Sequence, residues 1–553
     1  MNRFNIYCQN LERYIEVTGG DNLLDIAKRL DLDFEPVVAR VNNKTEALNY
    51  CVYQPKTVEF LPVTSGSGKR AYVRSLCMML YRAVCNVVPQ TTLRIQHSIA
   101  RGYYCTLSDE NGYLAMTPEL LEKLTAEMKR IADADLPFRH HEERTEDVIE
   151  IFRCQGLHDK VLLLETLHQL YTRYYSLDGI CDSYYGALLP RTGLIKTFEL
   201  RPFKKGFLLL ATEAAITQPV GDQEKMYKAF TEYVEFNNIL GIRNAGEINR
   251  LVERKRTADI INLAEALHNK NIAGIAHEIS ERYAAGGARI ILIAGPSSSG
   301  KTTTTKRLAI QLMANLLKPE MISLDDYFVD RVTTPLDEFG EYDYESINAI
   351  DLKQFNSDLS RVLAGEEVAL PTYNFETGKR EYRGNTIKLG EGSVLLIEGI
   401  HGLNPALTPN IPEDQKFRVY VSALTTLTID NHNWVPTTDT RLLRRIVRDF
   451  KYRGYSARES IRLWPSVRRG EEKWIFPYQE NADATFNSSL LFELGVIREQ
   501  AERILKLVPN DVPEYAEAYR LRHFLELFSP ITPELIPPTS LVREFLGGSS
   551  FHY

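Results

Sequence analysis

The chain has 553 residues, which is enough for about three domains of ordinary size. Its 66 lysines and arginines and 73 aspartates and glutamates give a net charge of -7, which excludes a globally basic protein that coats nucleic acid. Apolar residues make up 44% of the chain and charged residues 25%, and this balance excludes a largely disordered, collagen-like or coiled-coil protein.

Cysteine usage and the distribution of apolar residues predict the compartment. Seven cysteines are scattered without a CxxC pair, which argues against a disulfide framework and a zinc ribbon and favours a reducing compartment. The N-terminal sequence lacks the apolar core of a signal peptide, and the longest apolar stretch, residues 206–216, is too short to span a membrane. We therefore expect a cytoplasmic protein without membrane contact.

The first two segments of the chain both predict mixed domains of helices and strands. Over residues 1–63, alternating strands flank one amphipathic helix, so this segment predicts a compact α+β domain. Residues 65–70 are rich in glycine and serine and are expected to form a linker. Helical patterns alternate with short strands over residues 64–221, which predicts a second α+β domain.

The rest of the chain predicts a helical connector and a larger domain with a parallel sheet. Amphipathic helices with few prolines fill residues 222–285. Over residues 286–510, near-continuous apolar strands alternate with helices, a pattern typical of an α/β fold whose parallel sheet is buried on both faces. Residues 511–553 carry further helical patterns and are expected to pack outside that sheet as a C-terminal helical extension.

The strongest motif is a phosphate-binding loop that lies between a predicted strand and a predicted helix. Its glycines let backbone N–H groups wrap around phosphates, and the helix N-terminus adds its positive end. Lys301 is expected to reach the β- and γ-phosphate oxygens, and Thr302 to hold Mg²⁺. The loop predicts that a nucleoside triphosphate is bound by Gly295, Pro296, Ser297, Ser298, Ser299, Gly300, Lys301, Thr302 and Thr303.

Two acidic residues follow other buried strands of the same predicted sheet. Asp325 comes directly after the second strand, where a carboxylate can accept the proton of an attacking hydroxyl, or bind that hydroxyl, near the γ-phosphate. Glu398 ends another strand, a position from which a carboxylate commonly organises the shell of Mg²⁺. The sequence therefore predicts that Thr302 and Glu398 hold the Mg²⁺ that accompanies the nucleotide.

A run of arginines lies on one face of a predicted helix. The segment DTRLLRRIVRD spaces them at i, i+3, i+4 and i+7. Such a face suits a lid that closes over the transferring phosphate. A solvated basic face and an RNA-binding patch are the alternatives, because residues 441–473 hold eleven lysines and arginines against four acids. The four arginines are Arg441, Arg444, Arg445 and Arg448.

Over residues 288–489 these motifs resemble the uridine/cytidine kinases and, more distantly, phosphoribulokinase. GPSSSGKTT is similar to the phosphate loop of that family, LDDYF to its acceptor turn and DTRLLRRIVRD to its lid. The resemblance implies a P-loop kinase domain, a parallel sheet flanked by helices, that uses ATP and Mg²⁺. It also implies that Asp325 is the catalytic base, that Lys301 assists it, and that Arg441 and Arg444 clamp the transferring phosphoryl group.

The same resemblance assigns residues to the acceptor. EYDYES looks like the segment that binds ribose hydroxyls and offers Asp343, LPTYNF looks like the segment that contacts the nucleobase and offers Tyr373, and the lid contributes Arg448. One departure concerns the base. A few residues after the tyrosine the family carries a histidine that reads the pyrimidine edge, and Gly378 stands there in this chain. The identity of the acceptor therefore stays open.

The front half resembles the N-terminal domains of threonyl-tRNA synthetases. Residues 1–63, with DIA and VNNK, look like a TGS domain, and residues 64–221, with PRTGLIKTFEL, look like the second additional domain, which edits mischarged tRNA in that family. We expect no editing chemistry here, while contact with RNA, a nucleotide or a partner stays open. The metal-like HxxxH and Cys…His positions of editing domains hold Arg74, Met78, Tyr184 and Leu188.

Three functions remain open for this multidomain protein of α/β and α+β units. The first is an ATP-dependent nucleoside kinase that phosphorylates a ribose 5′-hydroxyl. The second is a P-loop kinase of another hydroxylated metabolite, such as a purine nucleoside or a sugar phosphate, and the third is a nucleotide-gated RNA-binding regulatory protein. Asp325 favours the kinases, because a pure switch needs no base beside the γ-phosphate. ATP against GTP as the donor and the formation of a homo-oligomer also stay open.

Overall fold

The computed structural model describes residues 2–219, 221, 223–374 and 376–552. Asp222, the first residue of the predicted connector, and Phe375, which follows the tyrosine of the predicted acceptor motif, lie outside the described residues. Within the described part of the chain, no helix combines the length and the hydropathy needed to cross a bilayer.

The N-terminal residues form one five-stranded sheet and one helix. The elements are β1 (Arg3–Cys8), β2 (Arg13–Thr18), α1 (Leu23–Lys28), β3 (Pro36–Val41), β4 (Lys44–Ala47) and β5 (Thr57–Pro62). The strand order is β2-β1-β5-β3-β4, in which β5 runs parallel to β1 and antiparallel to β3. Alternate strand residues point to α1 and fill a small core with it, including Ile6, Val17, Ile26 and Phe60.

The next segment is a larger mixture of helices and antiparallel strands. Its elements are α2 (Gly66–Val87), β6 (Thr92–Ile99), β7 (Gly102–Asp109), β8 (Gly112–Tyr113), α3 (Pro118–Asp133), β9 (Arg139–Arg144), α4 (Thr145–Cys154), α5 (His158–Leu167), β10 (Tyr171–Leu177), β11 (Ile180–Asp182), β12 (Glu199–Phe203), β13 (Gly206–Leu210) and α6 (Glu213–Thr217). One sheet has the order β12-β13-β7-β6, with β8 paired to β7, and a second has the order β11-β10-β9. Helix α2 lies in the core between them, since most of its residues are buried.

The expectation of a linker at residues 65–70 is wrong, because this segment begins helix α2. The side chain of Ser65 accepts a hydrogen bond from the backbone N–H of Gly68 at 3.0 Å and caps the helix. Serine is among the preferred residues at this position, since it satisfies a backbone donor that the helix leaves free. Two glycines in the first turn concealed this capping signal in the sequence.

Three helices connect this segment to the parallel sheet. They are α7 (Glu224–Leu240), α8 (Ala245–Glu253) and α9 (Thr257–Ala284). Helix α8 carries a capping box, in which Asn244 and Glu247 bind each other's backbone N–H groups. Apolar residues of α8 and α9, such as Ile248 and Ile272, pack in the same core as one face of the parallel sheet.

The third part of the fold is built on a five-stranded parallel sheet. Its elements are β14 (Ile290–Ala294), α10 (Lys301–Ala314), β15 (Lys318–Ser323), α11 (Leu352–Leu363), β16 (Val368–Ala369), β17 (Thr372–Asn374), β18 (Lys379–Glu381), β19 (Thr386–Ile387), β20 (Ser393–Glu398), β21 (Lys416–Ser422), α12 (Thr437–Tyr452), α13 (Ala457–Trp474), β22 (Ala484–Asn487) and α14 (Glu493–Leu505). The sheet order is β15-β20-β14-β21-β22, and the pairs β16-β19 and β17-β18 form two small hairpin sheets.

Helices cover both faces of the parallel sheet, as the near-continuous apolar strands predict. Every residue of β14 is buried, and its side chains alternate between two separate cores, with Ile291 and Ile293 on one face and Ile290 and Leu292 on the other. The carboxyl ends of β14, β15 and β20 lie side by side in the sheet. These strands therefore deliver the phosphate loop, Asp325 and Glu398 to one edge.

The C-terminal residues pack against the parallel-sheet region through two helices, α15 (Tyr515–Leu525) and α16 (Arg543–Leu546). Apolar side chains of this extension, including Leu521, Leu541 and Phe545, belong to the same buried cluster as α12 and α14. The extension therefore covers one side of the parallel-sheet region, next to helix α10.

A loop between β21 and α12 joins the parallel-sheet region to the N-terminal half. Lys160 Nζ lies 2.7 Å from Asp182 Oδ1 and 2.9 Å from Asp430 Oδ2. His432 Nδ1 lies 2.8 Å from Asp182 Oδ2, and all four side chains are at most 2% exposed. We refer to Lys160, Asp182, Asp430 and His432 as the buried network. It links the two halves directly before the helix that carries the arginines.

Candidate active site

The phosphate loop follows β14 and turns sharply into α10. A Cβ atom at Gly295 would lie 2.1 Å from the carbonyl oxygen of Val421, so the loop packs too closely on the neighbouring strand for any other residue. Gly300 has a φ of +86°, the left-handed conformation that glycine adopts without strain. This backbone turns the N–H groups at the start of α10 toward the carboxyl end of the sheet, where an anion is favoured.

Lys301, Thr302 and Glu398 meet at this edge. Lys301 Nζ donates to the carbonyl oxygen of Pro296 at 3.1 Å, and Thr302 Oγ1 donates to Glu398 Oε1 at 3.1 Å. Burial raises the pKa of Glu398 to about 7, and Lys301 partly opposes that rise. A hydroxyl beside a carboxylate whose negative charge is poorly compensated suits a hard cation such as Mg²⁺, so these residues fit the predicted magnesium pair.

Asp325 and Asp326 lie in the short helical turn that follows β15, and they differ in their contacts. Asp326 Oδ1 accepts the backbone N–H of Tyr373 at 3.1 Å, which ties the turn to β17. Among the described residues, the carboxylate of Asp325 has no hydrogen-bond partner. The negative charge of Asp325 contributes to the raised pKa of Glu398, so the two carboxylates lie within electrostatic reach of each other. Asp325 is thus the carboxylate that is free to meet an acceptor.

The predicted acceptor residues lie beside Asp325 and α13. Asp343 Oδ2 accepts the indole N–H of Trp474 at 3.2 Å. Tyr373 is buried and meets the ring of Phe328 edge-on, with ring centres 5.7 Å apart. This arrangement holds both side chains in place around the segment where the acceptor motif was predicted.

Arg331 fills the space where the resemblance predicts a histidine. Its backbone N–H donates to the carbonyl oxygen of Gly378 at 2.9 Å. A Cβ atom at Gly378 would lie 2.8 Å from the Cβ atom of Arg331, so a larger residue and this arginine exclude each other. Burial raises the pKa of Tyr373, and the positive charge of Arg331, together with a hydrogen bond from its side chain, partly opposes that rise. Sequence reasoning missed Arg331, because it belongs to no motif.

The arginines of α12 divide into two pairs. Arg441 and Arg444 are buried, and their guanidinium groups bind the backbone carbonyl oxygens of Ser297 at 2.9 Å and Ser298 at 3.3 Å. Arg441 also pairs with Glu471, and Arg444 with Glu493. In this structure both guanidinium groups bind the backbone of the phosphate loop. Their role as a clamp on the transferring phosphate therefore stays a prediction.

The other two arginines, Arg445 and Arg448, are half-buried. Arg445 Nη1 donates to Ser297 Oγ at 3.1 Å, and Arg448 Nε donates to Asp449 Oδ1 at 2.8 Å. Asp449 also pairs with Arg445 at 3.2 Å. The helical spacing of the arginines is therefore as predicted, but only this second pair lies on the more exposed side of α12.

Glu471 of α13 occupies one of the donors of the phosphate loop. Its Oε1 atom accepts the backbone N–H of Ser297 at 3.1 Å, and its Oε2 atom accepts from Arg468 at 2.9 Å. The Glu471 side chain is buried. Burial raises the pKa of the neighbouring Glu345 to about 7, and the charge of Glu471 adds to that rise. The Glu471 carboxylate thus accepts a backbone N–H of the loop that is expected to bind phosphate. No sequence motif indicates this contact.

Replacing Glu471 with glutamine is expected to strengthen ATP binding about tenfold, or by about 1.4 kcal/mol. The amide retains the shape of the side chain but removes a negative charge that opposes the triphosphate, and it releases the Arg441 guanidinium group from its carboxylate partner. Isothermal titration calorimetry with ATP at fixed Mg²⁺ measures the change. Glu472→Gln on the neighbouring, exposed side chain is the matched control. Weaker ATP binding by Glu471→Gln would show that the carboxylate helps to form the site.

A second carboxylate reaches the loop from the C-terminal extension. Glu544 Oε2 accepts the hydroxyl of Thr303 at 2.6 Å and its backbone N–H at 3.2 Å. Glu544 also adds to the raised pKa of Glu398. The last residue of the predicted loop is therefore held by helix α16 on the inner side of α10.

The positions that would form an editing cluster are buried in the N-terminal half. Met78 and Leu188 are enclosed by apolar residues, and the hydroxyl of Tyr184 donates to Asp182 at 2.9 Å. Arg74 lies over the ring of Tyr185, 4.9 Å from its centre. In the part of the chain that the structure describes, no group of three or more histidine, cysteine, aspartate or glutamate side chains is arranged to hold a metal ion.

Residues 290–490 match the model of the phosphoribulokinase / uridine kinase family. This part of the chain is a phosphoribulokinase/uridine kinase domain. The phosphate loop, Asp325, Glu398 and the arginines of α12 all lie inside the match. A solved structure described as "a Possible Uridine Kinase from Bacillus stearothermophilus" is 21% identical, with a TM-score of 0.26, and the alignment covers 39% of this chain and 98% of that chain.

The N-terminal region of this kinase-domain protein is similar to threonine–tRNA ligases. It is 29% identical over 188 residues to the enzyme of Desulforamulus reducens, which is 34% of this chain and 29% of that protein. It is 28% identical over 180 residues to the enzyme of Carboxydothermus hydrogenoformans, which is 32% of this chain and 28% of that protein. The chain thus spans less than a third of the length of these curated relatives.

Proposed function

We propose that this protein is an ATP-dependent kinase that transfers the γ-phosphoryl group of ATP to the 5′-hydroxyl of a nucleoside. The observation that carries the proposal is the carboxylate of Asp325, which has no partner among the described residues and lies beside Glu398 at the end of the sheet. The membership of residues 290–490 in a family of P-loop kinases supports it. The predicted division of the chain, with boundaries at residues 63, 221, 285 and 510, belongs to the same proposal.

In the proposed reaction Asp325 orients the acceptor hydroxyl and takes its proton as the oxygen attacks the γ-phosphorus. The bond between that phosphorus and the oxygen that bridges to the β-phosphate breaks, and ADP leaves. Lys301 spreads the charge that develops on the phosphates, and the N–H groups of residues 295–303 bind them. Thr302 and Glu398 would hold the Mg²⁺ that accompanies ATP, and this ion would neutralise part of the charge on the phosphates.

The acceptor would lie between Asp343, Tyr373 and the lid. Asp343 is suited to ribose hydroxyls, because the indole N–H of Trp474 fixes its carboxylate. Arg448 stands on the more exposed side of α12 and is proposed to approach the substrate. Arg441 and Arg444 would first have to exchange their present carboxylate partners in order to clamp the phosphoryl group.

A kinase of another hydroxylated metabolite is the second candidate, and Arg331 favours it. A guanidinium group beside Tyr373 and Gly378 suits a negatively charged acceptor, such as a sugar phosphate, better than an uncharged pyrimidine. ADP release by the purified protein with ATP and Mg²⁺, across a panel of nucleosides and sugar phosphates, distinguishes the two kinases.

Contact with RNA is a separate proposal for the N-terminal half. It rests on the similarity of that region to threonine–tRNA ligases.

Replacing Arg331 with methionine is expected to raise the KM for the acceptor about tenfold, as expected for the loss of a charge-assisted hydrogen bond. The KM for ATP should change little, because Arg331 lies on the acceptor side. Steady-state kinetics with the best acceptor of the panel measures both constants. Arg383→Met is the control, because that arginine lies just after β18 and is already paired with Glu381. An unchanged acceptor KM would remove Arg331 from the acceptor site.

A further inference from the structure

A large cavity lies between the N-terminal half and the parallel-sheet region. Its volume is about 1870 Å³, well above the roughly 300–1,000 Å³ of ordinary small-molecule pockets, so it has room for a ligand. Residues of α2 and of the loops that follow β11 and β13 form one wall, and the loop before α12 contributes another part of the lining. Its aromatic lining includes Tyr72, Tyr103, Tyr184, Tyr185, Phe230 and Trp434.

Arg74 lines this cavity and lacks an acidic partner. Its side chain is buried, with 9% of the residue exposed. Nη1 donates only a long hydrogen bond, 3.4 Å, to the carbonyl oxygen of Ala187, and the guanidinium group lies over the ring of Tyr185. No aspartate or glutamate among the described residues forms an ion pair with it. The guanidinium group therefore retains donors that could bind a ligand.

The charges around Arg74 leave one positive charge uncompensated. Arg70 pairs with Glu517 at 3.0 Å, and Arg520 pairs with Asp439 at 2.6 Å as well as with Glu517. Arg70 and Arg520 thus use both nearby carboxylates, and Arg74 is left without one. Burial lowers the pKa of Arg74, and the charges of Arg70 and Arg520 lower it further. A buried cation without a counter-ion destabilises a fold. The position of Arg74 is therefore explained if a negatively charged ligand binds to it.

The surroundings of Arg74 provide both space and flat surfaces. A Cβ atom at Gly186 would lie 2.4 Å from Arg74 Nη1, so the glycine makes room for the guanidinium group. The rings of Tyr103 and Trp434, which also line the cavity, lie 4.6 Å apart and form an aromatic surface. Aromatic surfaces of this kind bind planar rings.

We propose that this cavity binds an aromatic anion, whose carboxylate or phosphate pairs with Arg74 and whose ring packs among Tyr185, Tyr103 and Trp434. The ligand supplies the negative charge that the three arginines lack. Lys301, Asp343 and Tyr373 do not line this cavity, which reaches the phosphate loop only at Pro296, so the proposed ligand does not require the kinase reaction. The cavity also borders Arg441, which binds the phosphate loop, so the bound ligand lies next to a residue that supports ATP binding.

Thermal unfolding of the full chain with four probes tests the proposal. The probes are phenyl phosphate, benzoate, phenol and inorganic phosphate at equal concentration. Phenyl phosphate or benzoate should raise the Tm by a few degrees, and the stronger of the two identifies the anionic group. Phenol should have no effect, since it has the ring without the charge. No shift with either aromatic anion would overturn the proposal, and an equal shift with inorganic phosphate would overturn its aromatic part.

Variants of Arg74 separate ligand binding from folding. Arg74→Met should have a higher Tm than the wild type without a probe, because it removes an unpaired buried charge, and it should gain no shift from the aromatic anions. Arg74→Lys keeps a positive charge in the cavity and should retain part of the shift. Lys301→Ala should retain the whole shift. An equal shift in Arg74→Met, or a loss of the shift in Lys301→Ala, would contradict the assignment of this site.

Discussion

Replacing Asp325 with asparagine is expected to lower the turnover number about 10³-fold, within the range that general base catalysis contributes. The amide keeps the size of the side chain but cannot take the proton of the attacking hydroxyl. ATP affinity should change little, since the nucleotide is bound by the loop of residues 295–303 and by Lys301. The loss should therefore appear in kcat and not in the KM for ATP.

The adjacent carboxylate provides the matched control for this prediction. Asp326 lies in the same turn, but its carboxylate accepts the backbone N–H of Tyr373, a contact that an asparagine side chain can preserve. Asp326→Asn should therefore lose less than about tenfold in turnover number. Steady-state ADP release with equal amounts of the two variants measures the difference. Equal losses in both variants, or none in Asp325→Asn, would remove Asp325 from the reaction.

The second large effect is expected at the buried network. Lys160→Met leaves Asp182 and Asp430 buried without their shared cation, and breaking a buried ion pair in this way costs about 3–5 kcal/mol. Against the effect of burial, Lys160 and His432 hold the pKa of Asp182 well below its ordinary range. The stabilisation by Asp182 is therefore present above the ordinary aspartate pKa and is lost as the pH falls below it.

Urea unfolding at neutral pH, followed by circular dichroism, tests the network. Lys129→Met is the control, because that lysine is exposed on α3 in the same half of the chain. The unfolding midpoint of Lys160→Met should fall clearly, while that of the control should hardly change. The loop that contains Asp430 leads directly into α12, so the loss of the network should also lower ADP release. A midpoint like that of the control would show that the network contributes little to the fold.

The parts of the fold that sequence reasoning predicts well rest on local patterns. The apolar strands predict the parallel sheet, because strands that are buried on both faces need no polar alternation. The phosphate loop is readable because its glycines, Lys301 and Thr302 are close in sequence. Asp325 and Glu398 are each recognisable because they directly follow a strand, and the parallel pairing of those strands brings them to the same end of the sheet.

The parts that sequence reasoning missed depend on contacts between distant residues. Glu471 is 174 positions from the Ser297 backbone that it binds, and Glu544 is 241 positions from Thr303. Helical spacing shows that Arg441 and Arg444 lie near each other on α12. It does not show that this face of the helix packs against the phosphate loop. Buried partners of this kind follow from the tertiary fold and leave no periodic signal.

The most direct test of the proposed function follows the γ-phosphoryl group itself. The wild-type protein is incubated with γ-³²P-labelled ATP, Mg²⁺ and an equimolar mixture of nucleosides and sugar phosphates, and the products are separated by thin-layer chromatography. We expect the label to appear in a phosphorylated acceptor, and this product to be lost with Asp325→Asn. Label that remains in ATP, or that appears only as inorganic phosphate, would contradict a kinase and would favour a nucleotide-gated switch.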